Sequence, residues 1–234
     1  MIYAVSDLHG CYGLFLKMLD KIEFSDSDTL YILGDILDRG KDGMKILKYI
    51  KNKQNIIPLL GNHEYTAYRV LKRLYSPVPE GENKLDYFND NLSLFRDWTE
   101  DGGRVTYDDF GRLSEAEQKE FFDAIENMEV YAEISVSGNN FVLSHAGLGN
   151  FDKNKNLSKY TLDDLIWARM DYNRTYFDDR YLVSGHTPTE LINKEYSRRI
   201  YRKNNHIAID CGAVFLGVLG CIRLDDFKEF YVEE

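Results

Sequence analysis

Ile2-Tyr3-Ala4-Val5-Ser6-Asp7-Leu8-His9-Gly10 is a short apolar run that breaks into an acid, a histidine and a glycine, and two further apolar runs each end at a polar, glycine-bearing cluster. Residues 29–33 run into Gly34-Asp35-Ile36-Leu37-Asp38-Arg39-Gly40, and residues 55–60 run into Gly61-Asn62-His63-Glu64. Runs this short and this continuously apolar fit parallel strands buried on both faces. Between them, 12–22 and 42–53 place Leu14, Met18 and Ile22, then Met44, Leu47 and Ile50, at helical spacing. The order is β-α-β-α-β. In an open α/β sheet ligands collect beyond the carboxyl ends of the strands, where Asp7, His9, Asp35, Asn62 and His63 fall.

Working outward, residues 64–128 read as a helical excursion with a turn-rich break at 77–81, placed to wall a cleft at those strand ends. The chain then returns to strands at 130–137, 141–144, 181–184, 207–210 and 218–224, with a turn at Gly138-Asn139-Asn140. The expected fold class is α/β, two packed β-sheets flanked by helices, in a single domain over 1–234. A chain of 234 residues that is 44% hydrophobic has enough for one sizeable core and too little for two large ones.

No apolar stretch approaches the ~20 residues that span a bilayer, and the first residues lack the basic region and long apolar core of a signal peptide. The expectation is a soluble, cytoplasmic protein with no membrane partner. Cys11, Cys211 and Cys221 are odd in number and widely spaced, which points to reduced thiols. A formal net charge of −10 argues against nucleic acid as a partner, since such proteins present a basic face. A phosphorylated substrate remains open if cations and a few arginines reverse the potential in one cleft.

Two residues apart on a strand, Asp7 and His9 share a face and can point at one ion. Alone, a D-x-H triplet is more often a turn with a capping acid. Asp35 could bridge two ions with its two oxygens, Asn62 could offer an amide oxygen, and His145 and His186, in Ser144-His145-Ala146-Gly147 and Gly185-His186-Thr187-Pro188, would complete a second shell. A lone histidine is usually a satisfied core residue, but six candidate donors at successive strand ends outweigh that reading. Oxygen and imidazole donors without thiolate suit two divalent or mixed-valence ions, manganese first, with iron or zinc as alternatives. Two such ions ~3.5–4 Å apart, sharing a bridging water, form the clamp used in phosphoester hydrolysis.

The ordered set D-x-H, G-D-x-x-D-R-G, G-N-H-E, S-H-A-G and G-H-T-P, across residues 7–188, resembles the phosphoprotein phosphatase branch of the calcineurin-like metallophosphoesterases. The G-D-x-x-D-R-G element belongs to that branch; many distant members end in G-H-x-H, where this chain has Pro188. Trp98-Thr99-Glu100-Asp101-Gly102-Gly103-Arg104-Val105-Thr106 is similar to a stretch of the bacterial and phage members, so the resemblance is to a compact bacterial-type serine/threonine phosphatase. It implies that Asp7, His9 and Asp35 hold one metal, and Asp35, Asn62, His145 and His186 the other. It makes His63 the general acid, paired with Asp38. Arg39 becomes a bidentate phosphate clamp, aided by Arg169 and Asn62, although Arg169 could instead be a surface arginine.

The implied reaction is single-step, in-line attack of a metal-bridging hydroxide on a phosphomonoester, with phosphoserine, phosphothreonine or phosphotyrosine in a protein, or a small phosphoester, as substrate. A symmetrical diadenosine tetraphosphate hydrolase is the close alternative. A non-catalytic scaffold is a third, disfavoured because no ligand, acid or arginine is lost. Where the animal and yeast enzymes carry S-A-P-N-Y-C, with a tyrosine lining the site, this chain reads Ile207-Ala208-Ile209-Asp210-Cys211-Gly212-Ala213, so no tyrosine carries over. His206, Cys11 and Cys211 read as structural.

Overall fold

Tyr3 and Val5 leave the first strand on one side and Ala4 on the other, and all three are buried, which explains an apolar run without alternation. In the computed structural model, which describes residues 1–78, 80–81 and 83–234, the amino-terminal third is β1 (Ile2–Val5), α1 (Tyr12–Lys21), β2 (Thr29–Ile32), α2 (Gly43–Ile50) and β3 (Ile56–Pro58). The helical excursion follows as α3 (Asn62–Tyr75), α4 (Lys84–Trp98), a wide turn over Thr99–Gly103, α5 (Arg104–Phe110) and α6 (Glu115–Glu126). The rest is β4 (Tyr131–Val136), β5 (Asn139–Ser144), α7 (Leu162–Ile166), β6 (Tyr181–Ser184), α8 (Thr189–Ile192), β7 (Tyr201–Lys203), β8 (His206–Ala208), α9 (Ala213–Leu216), β9 (Val218–Arg223) and β10 (Lys228–Glu233).

The strands form two five-stranded sheets, ordered β10-β9-β1-β2-β3 and β4-β5-β6-β8-β7. β1, β2 and β3 are parallel in the first, and β5, β6 and β8 are parallel in the second. One core lies between the sheets, where Ala4, Leu33, Phe141, Val183, Ile207 and Ile222 meet. A second lies between the first sheet and the helices, around Val5, Phe15, Met18, Ile32 and Ile46. Val142 and Leu182 bury the outer face of the second sheet against Leu165 and Ile166 of α7. This is the expected α/β architecture, and its two parallel sets direct their carboxyl ends at one place. No helix among the described residues is long and apolar enough to cross a membrane.

Several local expectations shift. The buried face of α2 runs through Gly43, Ile46 and Ile50, leaving Met44 and Leu47 only partly buried at its flanks. The third strand closes at Pro58, short of residue 60, and the eighth ends at Ala208, short of 210. β7 and β10 were not foreseen: both are edge strands, Tyr-Arg-Lys and Lys-Glu-Phe-Tyr-Val-Glu, whose charged residues leave at most three apolar residues in a row. The turn read at 77–81 includes Pro79, which lies outside the described residues.

Candidate active site

The carboxyl ends of β1, β2, β3, β5 and β6 deliver Asp7 and His9, Asp35, Asn62 and His63, His145, and His186 to a single buried cluster. The chain bends sharply to do so. Asp7, His9, Asp35, Asp38, Arg39 and His186 all have positive φ, nearly half of the thirteen non-glycine residues that do among the described residues. Each is a conformation that L side chains rarely adopt, and it persists only where surrounding contacts fix it. The loops also approach each other closely: a Cβ on Gly34, itself at φ 79, would sit 2.6 Å from Gly61 Cα and 2.8 Å from His145 Nδ1. Glu64, fully buried, holds the second and third loops together by accepting from the backbone N–H groups of Asp35, Ile36, Leu37 and Gly61 at 2.7–3.1 Å.

The histidine tautomers follow from their backbone partners. His9 Nδ1 donates to Leu37 O at 2.8 Å and His145 Nδ1 to Leu33 O at 2.7 Å, so each ring turns Nε2 into the cluster. His9 is held neutral, pushed down to about 3 by burial, which outweighs the Asp35 carboxylate. Its Nε2 lies 3.6 Å from Asp35 Oδ2 and 2.6 Å from Arg39 Nη1. His145 Nε2 faces three acceptors at once: Asn62 Oδ1 at 2.9 Å, His186 Nδ1 at 3.1 Å and Asp35 Oδ2 at 3.3 Å. Burial opposes a charge on His145, but the Asp35 carboxylate overcomes it and raises this ring to about 10; His186 is lowered to about 3, first by burial and then by His145. One proton cannot serve three converging acceptors, whereas a cation can.

In each of two donor triads, His9-Asp35-His63 and Asp35-His145-His186, the donor atoms lie within 4.8 Å of one another, and the triads share Asp35. His9, Asp35, His145 and His186 fit a pair of cations that share that carboxylate, with the His63 ring beside them rather than among the ligands. Asp7 lies outside both triads. Its two oxygens accept from His186 N at 3.2 and 3.0 Å, and burial raises its carboxyl to about 6 against the opposing pull of His145. A fully buried carboxyl beside Asp35 gains from a cation that offsets their repulsion.

His63 stands at the same centre, with Nε2 4.0 Å from Asp35 Oδ2, while its Nδ1 donates to Asp38 Oδ2 at 2.7 Å. Burial alone would lower His63; Asp35 and Asp38 outweigh it and raise the ring to about 9. Asp38 is completely buried and also accepts from Trp98 Nε1 at 2.8 Å and Thr106 Oγ1 at 2.5 Å. These two donors come from the helical excursion. No metal-ligand or catalytic spacing in the sequence marks them, although both lie in the 98–106 stretch that carried part of the resemblance.

The cluster opens into a cleft of about 180 Å³ lined by Asp7, His9, Arg39, Arg169 and His186 on its polar side. Arg169 is exposed, and its Nη1 donates to His186 O at 2.9 Å and to Thr187 Oγ1 at 2.8 Å, which sets it at the rim of the cleft. Asp210 and Phe215 also line the cleft, and no motif announced them. Asp210 is a buried carboxyl held well above its ordinary range by burial and by Asp7. His206 stays apart: buried, stacked on Tyr172 at 4.6 Å, with Nε2 bonded to Ser184 Oγ at 2.8 Å.

Residues 1–212 match the family described as calcineurin-like phosphoesterase. A Wigglesworthia glossinidia brevipalpis protein named bis(5'-nucleosyl)-tetraphosphatase, symmetrical, is 28% identical over 206 residues, covering 84% of this chain and 74% of its own length. Serine/threonine-protein phosphatase 2 of Salmonella typhimurium is 29% identical over 171 residues, 72% of this chain and 67% of its own. Other relatives named as symmetrical tetraphosphatases match over shorter stretches, which span 33% of one from Buchnera aphidicola and 24% of one from Nitrosospira multiformis. Among solved structures, a protein provisionally named diadenosine tetraphosphatase shares the fold with a TM-score of 0.67 at 16% identity, covering 99% of this chain and 92% of that one.

Proposed function

The chain belongs to the calcineurin-like phosphoesterase family and is a metal-dependent phosphoester hydrolase, and within that activity we propose that it removes single phosphoryl groups from phosphoserine and phosphothreonine in proteins. The observation that carries this reading is the supply of cationic side chains. Among the described residues, Arg39 and Arg169 are the two cationic side chains that line the cleft, with the buried carboxyl groups of Asp7 and Asp210 beside them. That set suits one phosphoryl group better than a chain of four phosphates. The named tetraphosphatase relative, matched over most of this chain, favours the second reading, symmetrical hydrolysis of a dinucleoside tetraphosphate.

In the reaction we infer, Asp35, His9, His145, His186 and Asn62 hold two cations, with Asp7 beside them. When bound, those cations acidify a water and neutralise phosphoryl charge. Arg39 and Arg169 grip the phosphoryl oxygens and set the phosphorus in line for attack. As the new P–O bond forms from water and the ester P–O bond breaks, His63 passes its Nε2 proton to the departing alcohol oxygen. Asp38, bonded to Nδ1, keeps the ring turned for that transfer and stabilises its charged form. The products are the free hydroxyl and inorganic phosphate, and solvent returns the proton to His63. The test compares kcat/KM of manganese-loaded protein on phosphoserine peptides and on diadenosine tetraphosphate. A higher value on the peptides is expected; a tenfold preference for the dinucleotide would replace this reading with the second.

A further inference from the structure

Asp101 is on the surface, with 62% of its side chain exposed, yet its carboxylate reaches back to the two groups that handle the substrate. Oδ1 accepts from Arg39 Nη2 at 3.1 Å, and Oδ2 lies 3.6 Å from His63 Nε2. One carboxylate therefore spans the position of a phosphoryl oxygen on Arg39 and the position of the departing oxygen at the proton donor. It is not there by a chance rotamer of a loose loop. The turn that carries it is tied to the active-site loop by Arg39 N–H donating to Gly102 O at 2.9 Å, and by Trp98 Nε1 on Asp38. Gly102 adopts φ 102 and packs so tightly on Arg39 that a Cβ would lie 2.6 Å from Arg39 Cγ. The exposed side chain can swing when substrate arrives, while these contacts on either side of Asp101 hold its turn against the Arg39 loop.

We propose that Asp101 is a specificity-determining residue that selects against anionic leaving groups and favours phosphoserine or phosphothreonine flanked by cationic residues. The proposal rests on the phosphomonoesterase reading above. An incoming phosphoryl group displaces Oδ1 from Arg39, because a phosphate dianion is the stronger bidentate partner of a guanidinium. The displaced carboxylate stays within a side chain's length of His63 Nε2, where the leaving group departs. There it repels a second phosphate or an acidic flanking residue and attracts lysine or arginine in the substrate. At an exposed site the interaction is screened, so the discrimination is several-fold and weakens with salt.

The test uses metal-loaded wild type, Asp101→Asn and Asp101→Glu, assayed on two phosphoserine peptides that differ only in basic or acidic flanking residues, and on diadenosine tetraphosphate. The ratio of kcat/KM for the basic over the acidic peptide should fall about three- to ten-fold in Asp101→Asn, with a matching relative gain on diadenosine tetraphosphate. Asp101→Glu should keep most of the wild-type ratio. Independently of turnover, calorimetric affinity for inorganic phosphate should tighten several-fold in Asp101→Asn, because the competing carboxylate on Arg39 is gone. Equal changes on all substrates, or phosphate affinity that is unchanged or weaker, would overturn the proposal. Outright preference of the wild type for diadenosine tetraphosphate would instead defeat the phosphomonoesterase reading, while the ratios between variants still decide the role of Asp101.

Discussion

The strand-end loops and the helical excursion build one site in different ways. The loops supply the donors: Asp35 and His186 sit just past their strands at positive φ, and the His145 ring is turned by Leu33 O at the end of the neighbouring sheet. The excursion supplies almost no donors to the cluster beyond Asn62 and His63 at its start. Instead Trp98 and Thr106 reach Asp38 across 60 and 68 residues of chain, and Asp101 reaches Arg39 across 62. The first region decides what chemistry is available; the second decides how the proton donor is aimed and what approaches it.

The sharpest separation of the two regions comes from Asp35→Asn. Removing the shared carboxylate charge should strip both cations, seen as loss of bound metal from the purified variant, and lower kcat/KM on the order of 10³-fold or more. Next, His63→Asn should keep bound metal while losing about 10²- to 10⁴-fold on phosphoserine, whose alcohol leaves poorly. Unchanged turnover on phosphoserine would remove His63 from the proton-donor role.

Changes in the excursion should be milder and selective. Thr106→Val or Trp98→Phe takes one hydrogen bond from Asp38, so a roughly tenfold drop in kcat on phosphoserine is expected, with bound metal unaltered and a smaller drop on p-nitrophenyl phosphate. A loss of metal in these variants would merge the two regions into one and break the comparison.

The smallest effect concerns the histidine outside the site. Burial lowers His206 to about 3, so the folded protein keeps it neutral while an unfolded chain takes up a proton below about pH 6.5. The unfolded state therefore binds more protons between those values, and stability falls as pH drops through that window. Between pH 7 and 5.5 His206 should account for about 1 kcal/mol of lost stability, read as the difference in urea-unfolding pH dependence between wild type and His206→Gln.

The same contrast explains what the sequence made legible. Asp7, His9, Asp35, Asn62, His63, His145 and His186 could be read because each sits a fixed, short distance after an apolar strand, and chemistry restricts the residue types that can stand there. Two packed sheets were legible from the lengths of the apolar runs. Trp98, Thr106 and Asp101 stood out only as part of the 98–106 resemblance and without a role, because their significance is a tertiary contact with a loop some 60 residues away. Nor did spacing show that Asp35 groups with His9 and His63 while Asp7 turns its oxygens to His186 N. β7 and β10 escaped for a simpler reason, since charged residues leave neither with more than three apolar residues in a row.

The claim that joins the two regions is that Asp38, held by Trp98 and Thr106, makes His63 an effective acid. It is tested most directly by kcat of wild type and Asp38→Asn across aryl and alkyl phosphates whose leaving alcohols span a wide pKa range. The wild type should depend only weakly on leaving-group pKa, and Asp38→Asn steeply, with the two converging on the best leaving groups. Parallel dependences, with the variant lowered equally on every substrate, would contradict the account.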